Sequence, residues 1–465
     1  MSQAPTAPPE QTSLDRLKSM KAVDTAHHYH PFSDERMLKQ YGPLMVVKAQ
    51  GTRLYVEQGI QLLDMVAGLG CVNIGYGQAA MADAIAEAVR ELSFYHTFQQ
   101  ASNPYAAALA QTLARLTPDH LNKAFFANSG SEANETIVKL VRAYWRRRGR
   151  PDKTDIITRE FSYHGSTLYT ASMNGLAHMH QAFGLPLAGI HHVPAPWWYR
   201  NGGDLDPDAY GKRAALAIEE KILQVGADRV GALFLEPIQV TAGAVIAPGS
   251  YWPEVQRIVQ EHDVLLAVDE VVTGFGRCGR WILHDALGMK ADFVTLAKGL
   301  TSAYQPLAAA MVSDRVMEVV NEGGALQHGY TTSGHPVACA AAIKNIEILH
   351  TQEMVTRAGG KLGQHFQDRM ASLSDHPLVG EVRGHGLLAG IELAADKASR
   401  RQFPLEQGVC NQVMQAVLLK GIIIRAVGNA LVLCPPLSIS VGEIDFCTTR
   451  LREALDEVWQ KVKAG

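Results

Sequence analysis

The chain has 465 residues, more than one small hydrophobic core accommodates, so we expect two or more packed units. Hydrophobic residues make up 47% and charged residues 19%, a globular composition that excludes an intrinsically disordered protein. The formal net charge of −3 lacks the basic character of nucleic-acid-binding proteins. The expected partners are therefore small molecules and a second copy of the chain.

The N-terminus, the cysteines and the hydropathy predict a cytoplasmic protein without a membrane anchor. Met1–Ser13 is rich in Pro, Ala and Gln and lacks the apolar core of a secretory signal, so we predict a mobile tail. The six cysteines are scattered without a C-x-x-C pair, which is typical of reduced thiols. No apolar run approaches the roughly 20 residues that span a bilayer.

From about Ser102 the chain alternates helical and strand patterns. Asn103-Pro104 begins a helix that runs to Leu116, with proline in the first turn, where its missing N–H costs nothing. The next predicted elements are strand Lys123–Ala127, helix Ser131–Arg148, strand Asp155–Thr158, helix Lys212–Val225, strand Gly231–Leu235, helix Tyr251–His262, and strands Val264–Val268 and Asp292–Leu296. Short apolar strands between helices predict an α/β fold with a mostly parallel sheet covered on both faces. The part after Gly334 mixes long helices with short strands and predicts an α+β unit.

Two predicted strand ends carry groups suited to an anion or a buried cation. Ligands of such sheets bind beyond the carboxyl ends of the strands. Asn128–Glu132 is a turn of small residues that opens a helix, which fits a phosphate site and equally fits an ordinary helix cap. Asp269-Glu270 closes an apolar strand, where a carboxylate needs a partner such as a protonated ring nitrogen, a helix end or a metal ion.

Two further positions carry a nucleophile and an aromatic ring. Lys298 closes an apolar strand, where a partly desolvated amine is a good Schiff-base nucleophile, although a lysine that extends to the surface fits too. Tyr163 either stacks on a flat ring or is an ordinary loop residue. Together the four positions predict a pyridoxal 5'-phosphate (PLP) site, since they would anchor a phosphate, tune a pyridine nitrogen, form an imine and cover a ring face.

The stretch Val268–Arg277, with Lys298 lying 29 residues after Asp269, resembles the signature of class III (ω-type) aminotransferases. The similarity runs in the same order from about His30 to Val462, and its further matching stretches are Asn128–Asn134, Tyr163–Thr167, Glu236–Gln239, His328–Thr331, Ser333–Pro336 and Cys434–Leu437. The resemblance implies PLP fold type I, with a large domain, a small α+β domain formed by both termini, and a homodimer with active sites at its interface. The expected boundaries are 1–70 for an N-terminal segment that packs with the small domain, 71–334 for the large PLP-binding domain and 335–465 for the C-terminal small domain.

The resemblance also implies a role for each motif residue. Lys298 and Asp269 are the expected catalytic residues, because Lys298 holds PLP and moves a proton while Asp269 pairs with the ring nitrogen. The other expected cofactor-binding residues are Gly130 and Ser131 at the phosphate, Thr331 of the partner subunit with its neighbour Tyr330, Tyr163 and Val271 on the two ring faces, and His164 and Glu236 close by. The implied reaction is ping-pong transamination of a primary amine or ω-amino compound to an aldehyde or ketone, with a 2-oxo acid as acceptor.

The segment Gly421–Asn429 resembles amine:pyruvate enzymes, in which an arginine at the position of Arg425 binds the acceptor's carboxylate. A surface arginine at a strand end fits the same pattern. Relatives that use 2-oxoglutarate carry an arginine near Pro435-Pro436 and a glutamate after the Glu236–Gln239 motif, and this chain has neither. Both differences favour pyruvate, with 2-oxoglutarate as the alternative acceptor.

Two other differences concern the amine donor. Many amine:pyruvate relatives have tryptophan where this chain has Gly70, and Gly-Ala where it has Val240-Thr241. We hypothesise a pocket reshaped for a long or bulky amine, unless a bulky residue from elsewhere fills the space. The expected substrate-binding residues are Arg425, Gly70, Phe98, Tyr163 and Thr241.

Several other functions fit parts of the pattern. An aminomutase, a PLP-dependent decarboxylase and an amino-acid racemase share the fold. The histidines His27, His28 and His30 suggest a metal-dependent enzyme, but they lack a matching carboxylate or cysteine pattern, so we predict no metal site. A non-catalytic regulator would need neither Lys298 nor Asp269.

Overall fold

The computed structural model describes residues 14–464, so the predicted tail Met1–Ser13 lies outside the described residues. The helices are α1 Leu14–His27, α2 Glu35–Tyr41, α3 Ala67–Gly70, α4 Ala79–Leu92, α5 Pro104–Leu116, α6 Gly130–Arg147, α7 Leu168–Met173, α8 Ala177–Phe183, α9 Trp198–Asn201, α10 Pro207–Val225, α11 Tyr251–Glu261, α12 Asp314–Asn321, α13 Pro336–Thr351, α14 Met354–Gly359, α15 Lys361–Ala371, α16 Val409–Leu419 and α17 Val441–Ala464. The strands are β1 Val46–Gln50, β2 Arg53–Val56, β3 Gln61–Asp64, β4 Lys123–Ala127, β5 Asp155–Arg159, β6 Ile190–Val193, β7 Val230–Leu235, β8 Ile238–Gln239, β9 Val245–Ile246, β10 Leu265–Asp269, β11 Phe293–Leu296, β12 Ala308–Val312, β13 Val379–His385, β14 Leu388–Leu393, β15 Ile422–Ile423, β16 Arg425–Val427 and β17 Ala430–Leu433.

The largest sheet has seven strands in the order β4-β12-β11-β10-β7-β5-β6. Strand β12 runs antiparallel to both of its neighbours, and the other paired strands are parallel. The predicted mostly parallel sheet is therefore confirmed. The parallel order also brings the carboxyl ends of β5, β7, β10 and β11 to one edge.

Helices cover both faces of this sheet, which explains why its strands are apolar without alternation. Along β10, Leu265 and Ala267 pack in one buried cluster with α6, whereas Leu266 and Val268 pack in another with α10 and α11. Each side chain leaves water on whichever face it points to, and the hydrophobic effect then favours an apolar residue at every position.

One of the smaller sheets joins the two ends of the chain. The sheet β1-β2-β3-β15 pairs Leu63 of β3 with Ile422 of β15, and the second has the order β13-β14-β17-β16. The small α+β part is thus formed by both termini, as the resemblance implied. The boundaries proposed at residues 71 and 335 stay predictions.

The predicted elements differ from the observed ones mainly at their ends. Helix α10 begins at Pro207, five residues before the predicted Lys212, because proline occupies its first turn and Asp206 accepts the Ala209 N–H at 2.9 Å. Strand β10 begins and ends one residue later than predicted, so that Asp269 is its last residue. None of the helices between residues 14 and 464 combines the length and the apolar character that a bilayer span requires.

Candidate active site

A cavity of about 270 Å³ lies at the edge where the parallel strands end. The segments that follow β4, β5, β7, β10 and β11 each contribute lining residues to it. Among them are most of the residues that the sequence predicted to meet in a PLP site: Gly130, Ser131, Tyr163, His164, Glu236, Asp269, Val271 and Lys298. The topology therefore collects the four strand-end motifs around one space.

One end of the cavity is formed by the N-terminus of α6. Ser129 caps this helix, and its Oγ accepts the Glu132 N–H at 3.2 Å. Ser131 Oγ accepts the Ser166 N–H at 3.0 Å, which ties the first turn to the loop after β5. The first-turn N–H groups of a helix have no intrahelical partners, and the helix dipole adds positive potential there. This end is suited to an anionic group such as a phosphate.

Asp269 is only 6% exposed, and three groups fix its carboxylate. Oδ1 accepts the Val271 N–H at 3.0 Å, while Oδ2 lies 2.9 Å from His164 Nδ1 and accepts Asn134 Nδ2 at 3.1 Å. Asn134 is itself held, since its Oδ1 accepts Thr295 Oγ1 at 2.6 Å. The carboxylate thus has a defined orientation, which a partner approaching from the cavity would meet.

A buried row of alternating charges lies behind Asp269. His164 Nε2 lies 3.8 Å from Glu236 Oε2, which accepts Arg159 Nη2 at 2.9 Å. Burial alone lowers the pKa of His164, but the carboxylates of Glu236 and Asp269 outweigh it and raise the pKa above its usual value. The protonated imidazole is therefore favoured, and it places a positive charge between two carboxylates.

Lys298 follows β11 in a strained backbone conformation. Its φ is +41°, in the left-handed region that costs a non-glycine residue about 1–3 kcal/mol. The side chain is half-buried and lines the cavity. Such strain is common at functional sites, and Ala303, which lines the same cavity, has a φ of +60° as well.

A narrow cavity of about 40 Å³ adjoins the first and shares Lys298 and Thr241 with it. Gly70 and Arg425 line this narrow cavity as well, so the structure brings these predicted substrate residues together beside Lys298. Gly70 has a φ of +72°, and a Cβ there would lie 3.5 Å from Val272 Cγ1. The remaining lining residues are Val66, Leu69, Val240, Val272, Val427, Val432 and Cys434.

Three predicted site residues lie outside the two cavities in the described part of the chain. The Tyr330 hydroxyl donates to the carbonyl of Glu132 at 3.0 Å and so supports the first turn of α6 from behind. Phe98 is 41% exposed, and its ring packs 2.9 Å from where a Cβ on Gly329 would be. Thr331 is exposed.

The sequence reasoning missed Arg159, Asn134 and Thr295 as residues of the site. Arg159 is 1% exposed and closes β5 just as Lys298 follows β11, so a charge after the apolar run was the available signal. Asn134 lies one turn into α6 after Gly130, within the quoted motif. Thr295 carried no signal of its own, because a threonine in a strand is ordinary.

Comparisons with known proteins identify the family of this chain. The family model "Aminotransferase class-III" matches residues 37–455. The putrescine–pyruvate aminotransferase of Pseudomonas aeruginosa is 40% identical over 98% of this chain and 99% of its own. The diaminobutyrate–2-oxoglutarate transaminase of Halomonas elongata is 39% identical over 89% of this chain and 90% of its own.

A solved structure resembles the whole chain. The omega transaminase of Pseudomonas jessenii in complex with PMP has a TM-score of 0.93 and 34% identity, covering 98% of this chain and 100% of that one. The match extends over both cavities and over the sheets that carry them. The chain therefore belongs to the class III aminotransferases, which are PLP-dependent enzymes.

Proposed function

We propose that this enzyme transfers the amino group of a primary amine or ω-amino compound to pyruvate. The observation that carries the proposal is the narrow cavity, where Arg425 and Lys298 line the same space. A guanidinium fork suits a carboxylate, so Arg425 would hold the acceptor beside the lysine amine. The putrescine–pyruvate relative supports pyruvate, and the diaminobutyrate relative makes 2-oxoglutarate the acceptor to test against it.

The residues of the main cavity fit PLP. A buried carboxylate, a helix N-terminus, a lysine and a tyrosine line one space, which matches the chemistry of a ring nitrogen, a phosphate, an aldehyde and a ring face. Gly130 and Ser131 would hold the phosphate with Thr331 of the partner subunit, and Asp269 would hold the ring nitrogen. Tyr163 and Val271 would flank the ring, with His164 and Glu236 supporting Asp269.

Bound PLP supplies an electron sink for the substrate carbon that carries the amine. Lys298 Nζ would remove the proton from that carbon as general base and deliver it, as general acid, to the cofactor carbon bonded to the amine nitrogen, which contributes roughly 10²–10⁴-fold to the rate. Asp269, kept in place by Asn134 and His164, would stabilise positive charge at the ring nitrogen. Arg425 would orient the acceptor by its carboxylate. The sequence is ping-pong because the first product leaves the site before the acceptor binds there.

The lysine assignment is tested by Lys298→Ala. We expect the purified variant to lose the visible absorbance of lysine-bound cofactor and at least about 100-fold in turnover, because the proton-transfer group is gone. Lys290→Ala is the matched control, since Lys290 is exposed and eight residues away in sequence. A variant at Lys298 that kept both absorbance and turnover would contradict the assignment.

The acceptor assignment is tested by Arg425→Leu. We expect the KM for pyruvate to rise at least about tenfold while the KM for an amine without a carboxylate stays unchanged, because only the carboxylate loses its partner. Wild-type enzyme is assayed with pyruvate and with 2-oxoglutarate at equal amine concentration. A higher kcat/KM with 2-oxoglutarate would favour the alternative acceptor.

The hypothesis of an enlarged donor pocket is tested by Gly70→Trp. We expect the variant to lose at least about tenfold in kcat/KM for a bulky amine relative to a small one, because an indole would fill the narrow cavity. Gly70→Ala is the matched control, since it carries the same backbone strain with little added volume. Equal handling of both amines by wild type and the tryptophan variant would refute the hypothesis.

We also infer a homodimer and a cytoplasmic location. Phe94, Tyr95 and Phe98 lie within five residues of one another in sequence and are 40%, 54% and 41% exposed, which supports an interface there. All six cysteines are free thiols, which fits a reducing compartment. Sedimentation at several concentrations tests the dimer, and a monomer throughout would overturn it.

A further inference from the structure

The histidines at the end of α1 are not explained by the transaminase site. The sequence pattern showed no carboxylate for them, and the structure corrects this by bringing Asp24 to two of the three. Helix α1 ends at His27, and the chain then turns so that His28 and His30 both point back at its last turn. His28 Nδ1 lies 3.1 Å from Asp24 Oδ1, and His30 Nε2 lies 2.6 Å from Asp24 Oδ2.

We propose that Asp24, His28 and His30 bind a Zn²⁺ ion. One ligand atom from each side chain lies within 4.8 Å of the others. Zinc takes imidazole nitrogen and carboxylate oxygen at about 2.0–2.2 Å in a tetrahedron, which places the ligand atoms roughly 3.4 Å apart. Small rotations of the two rings reach that spacing and leave the fourth position for a water molecule.

The charges around the cluster favour a cation. Among the side chains that the structure describes (residues 19–57 and 59–463), Asp24 pairs only with the two histidines, and none of the lysines or arginines there occupies its carboxylate. The cluster of Glu219, Glu261 and His262 is different, since Arg257 lies 3.0 Å from Glu219 and 2.6 Å from Glu261. A guanidinium already fills that second cluster, whereas the first is open to an ion from solvent.

The proposed site is independent of the transaminase chemistry. None of its residues lines the cavity that contains Lys298, and all lie before residue 37, where the match to the family model begins. With all ligands inside seven residues, the ion would tie the last turn of α1 to the segment that leads to α2. The site is therefore a clasp on the N-terminal segment.

The test uses PLP-loaded enzyme without a histidine tag, dialysed against a chelator and titrated with zinc chloride by calorimetry. We expect wild type to bind one more ion per chain than Asp24→Asn or His28→Ala/His30→Ala, or to bind it at least about tenfold more tightly. His27→Ala and Glu219→Gln are the controls, and both should bind zinc as wild type does. Equal binding by wild type and Asp24→Asn, or an equal loss in His27→Ala, would overturn the proposal.

Hydrogen exchange supplies a second measurement of zinc binding. Asp24→Asn is a suitable comparison because the substitution is nearly isosteric, so the zinc-free wild type and variant should have the same melting temperature. Zinc should slow amide exchange across residues 24–30 in wild type and leave it unchanged in Asp24→Asn. The rate of transamination should be the same with and without zinc. Unchanged exchange in wild type would overturn the clasp even where zinc binds elsewhere on the chain.

Discussion

At the scale of single residues, the site depends on charges that neutralise one another. Arg159, Glu236, His164 and Asp269 are all at most 7% exposed, and an unpaired charge at such a depth would cost several kcal/mol. Positive and negative charges alternate along this row, so removal of one residue leaves its neighbour without an oppositely charged partner. We therefore expect Arg159, Glu236 and His164 to support Asp269 as a unit, with non-additive effects on mutation.

The raised pKa of His164 predicts a pH-dependent contribution to stability. A group whose pKa is raised on folding stabilises the protein fully below its unfolded pKa of about 6.5 and loses that contribution as the pH rises through its folded pKa. The melting temperature of wild type should therefore exceed that of His164→Asn most at about pH 6. The difference should shrink at higher pH, because the variant keeps a neutral donor but no charge. A difference that grew with pH in parallel melting curves would contradict the prediction.

At the scale of elements, the loop after β5 presses on the first turn of α6 at Gly165. A Cβ on Gly165 would lie 2.6 Å from Ser131 Oγ and 2.5 Å from Thr170 Oγ1, and its φ of +146° also disfavours a side chain. Glycine is thus required for the close approach that lets Ser131 accept the Ser166 N–H. The phosphate end of the cavity depends on this contact.

Gly165→Ala should weaken cofactor binding by at least about tenfold, because the added methyl group displaces Ser131 from the helix N-terminus. The measurement is a titration of cofactor-free enzyme with PLP, followed by absorbance. Gly184→Ala is the control, since Gly184 has a φ of +66° and no atom within 4 Å of an added Cβ. If the two variants bound PLP equally well, the proposed contact would not matter.

Strands and reactive residues could be predicted from the sequence for the same reason: apolar runs mark the buried strands, and a charge marks the place where a run ends. Asp269 and Lys298 lie where apolar runs stop, and a charge at such a place is visible without a structure. Arg159 directly follows the predicted strand Asp155–Thr158 and carried the same signal, but it lies outside the stretches that resemble the family. Asn134 and Thr295 acquire their importance from tertiary packing, which brings them within hydrogen-bonding distance of each other and of Asp269. The two-residue strand β15 had no pattern long enough to detect.

At the scale of the whole molecule, Arg277 connects the seven-stranded sheet to the sheet β13-β14-β17-β16. It follows β10 and is fully buried, and burial lowers its pKa. Its guanidinium donates to the carbonyl of Leu387 at 3.1 Å, to Asn73 Oδ1 at 2.9 Å and to the carbonyl of Pro435. These acceptors come from three distant parts of the chain, so one side chain fixes the relative placement of all three.

Arg277→Leu should destabilise the protein by about 3–5 kcal/mol, because three buried acceptors lose their donor. The melting temperature of the holoenzyme measures the loss. Arg280→Leu is the control, since Arg280 is exposed and three residues away in sequence. Equal melting temperatures for the two variants would show that packing alone, without the hydrogen bonds of Arg277, holds these three parts of the chain together.

The pairing of β3 with β15 has a consequence for synthesis on the ribosome. Leu63 and Ile422 are about 360 residues apart, so at roughly 5–20 residues per second β3 waits on the order of tens of seconds for its partner strand. During that time the nascent chain exposes an unpaired strand edge, which is a template for aggregation. The first three strands therefore cannot complete their sheet until the last tenth of the chain has begun to emerge, which makes the N-terminal region an early candidate for chaperone protection.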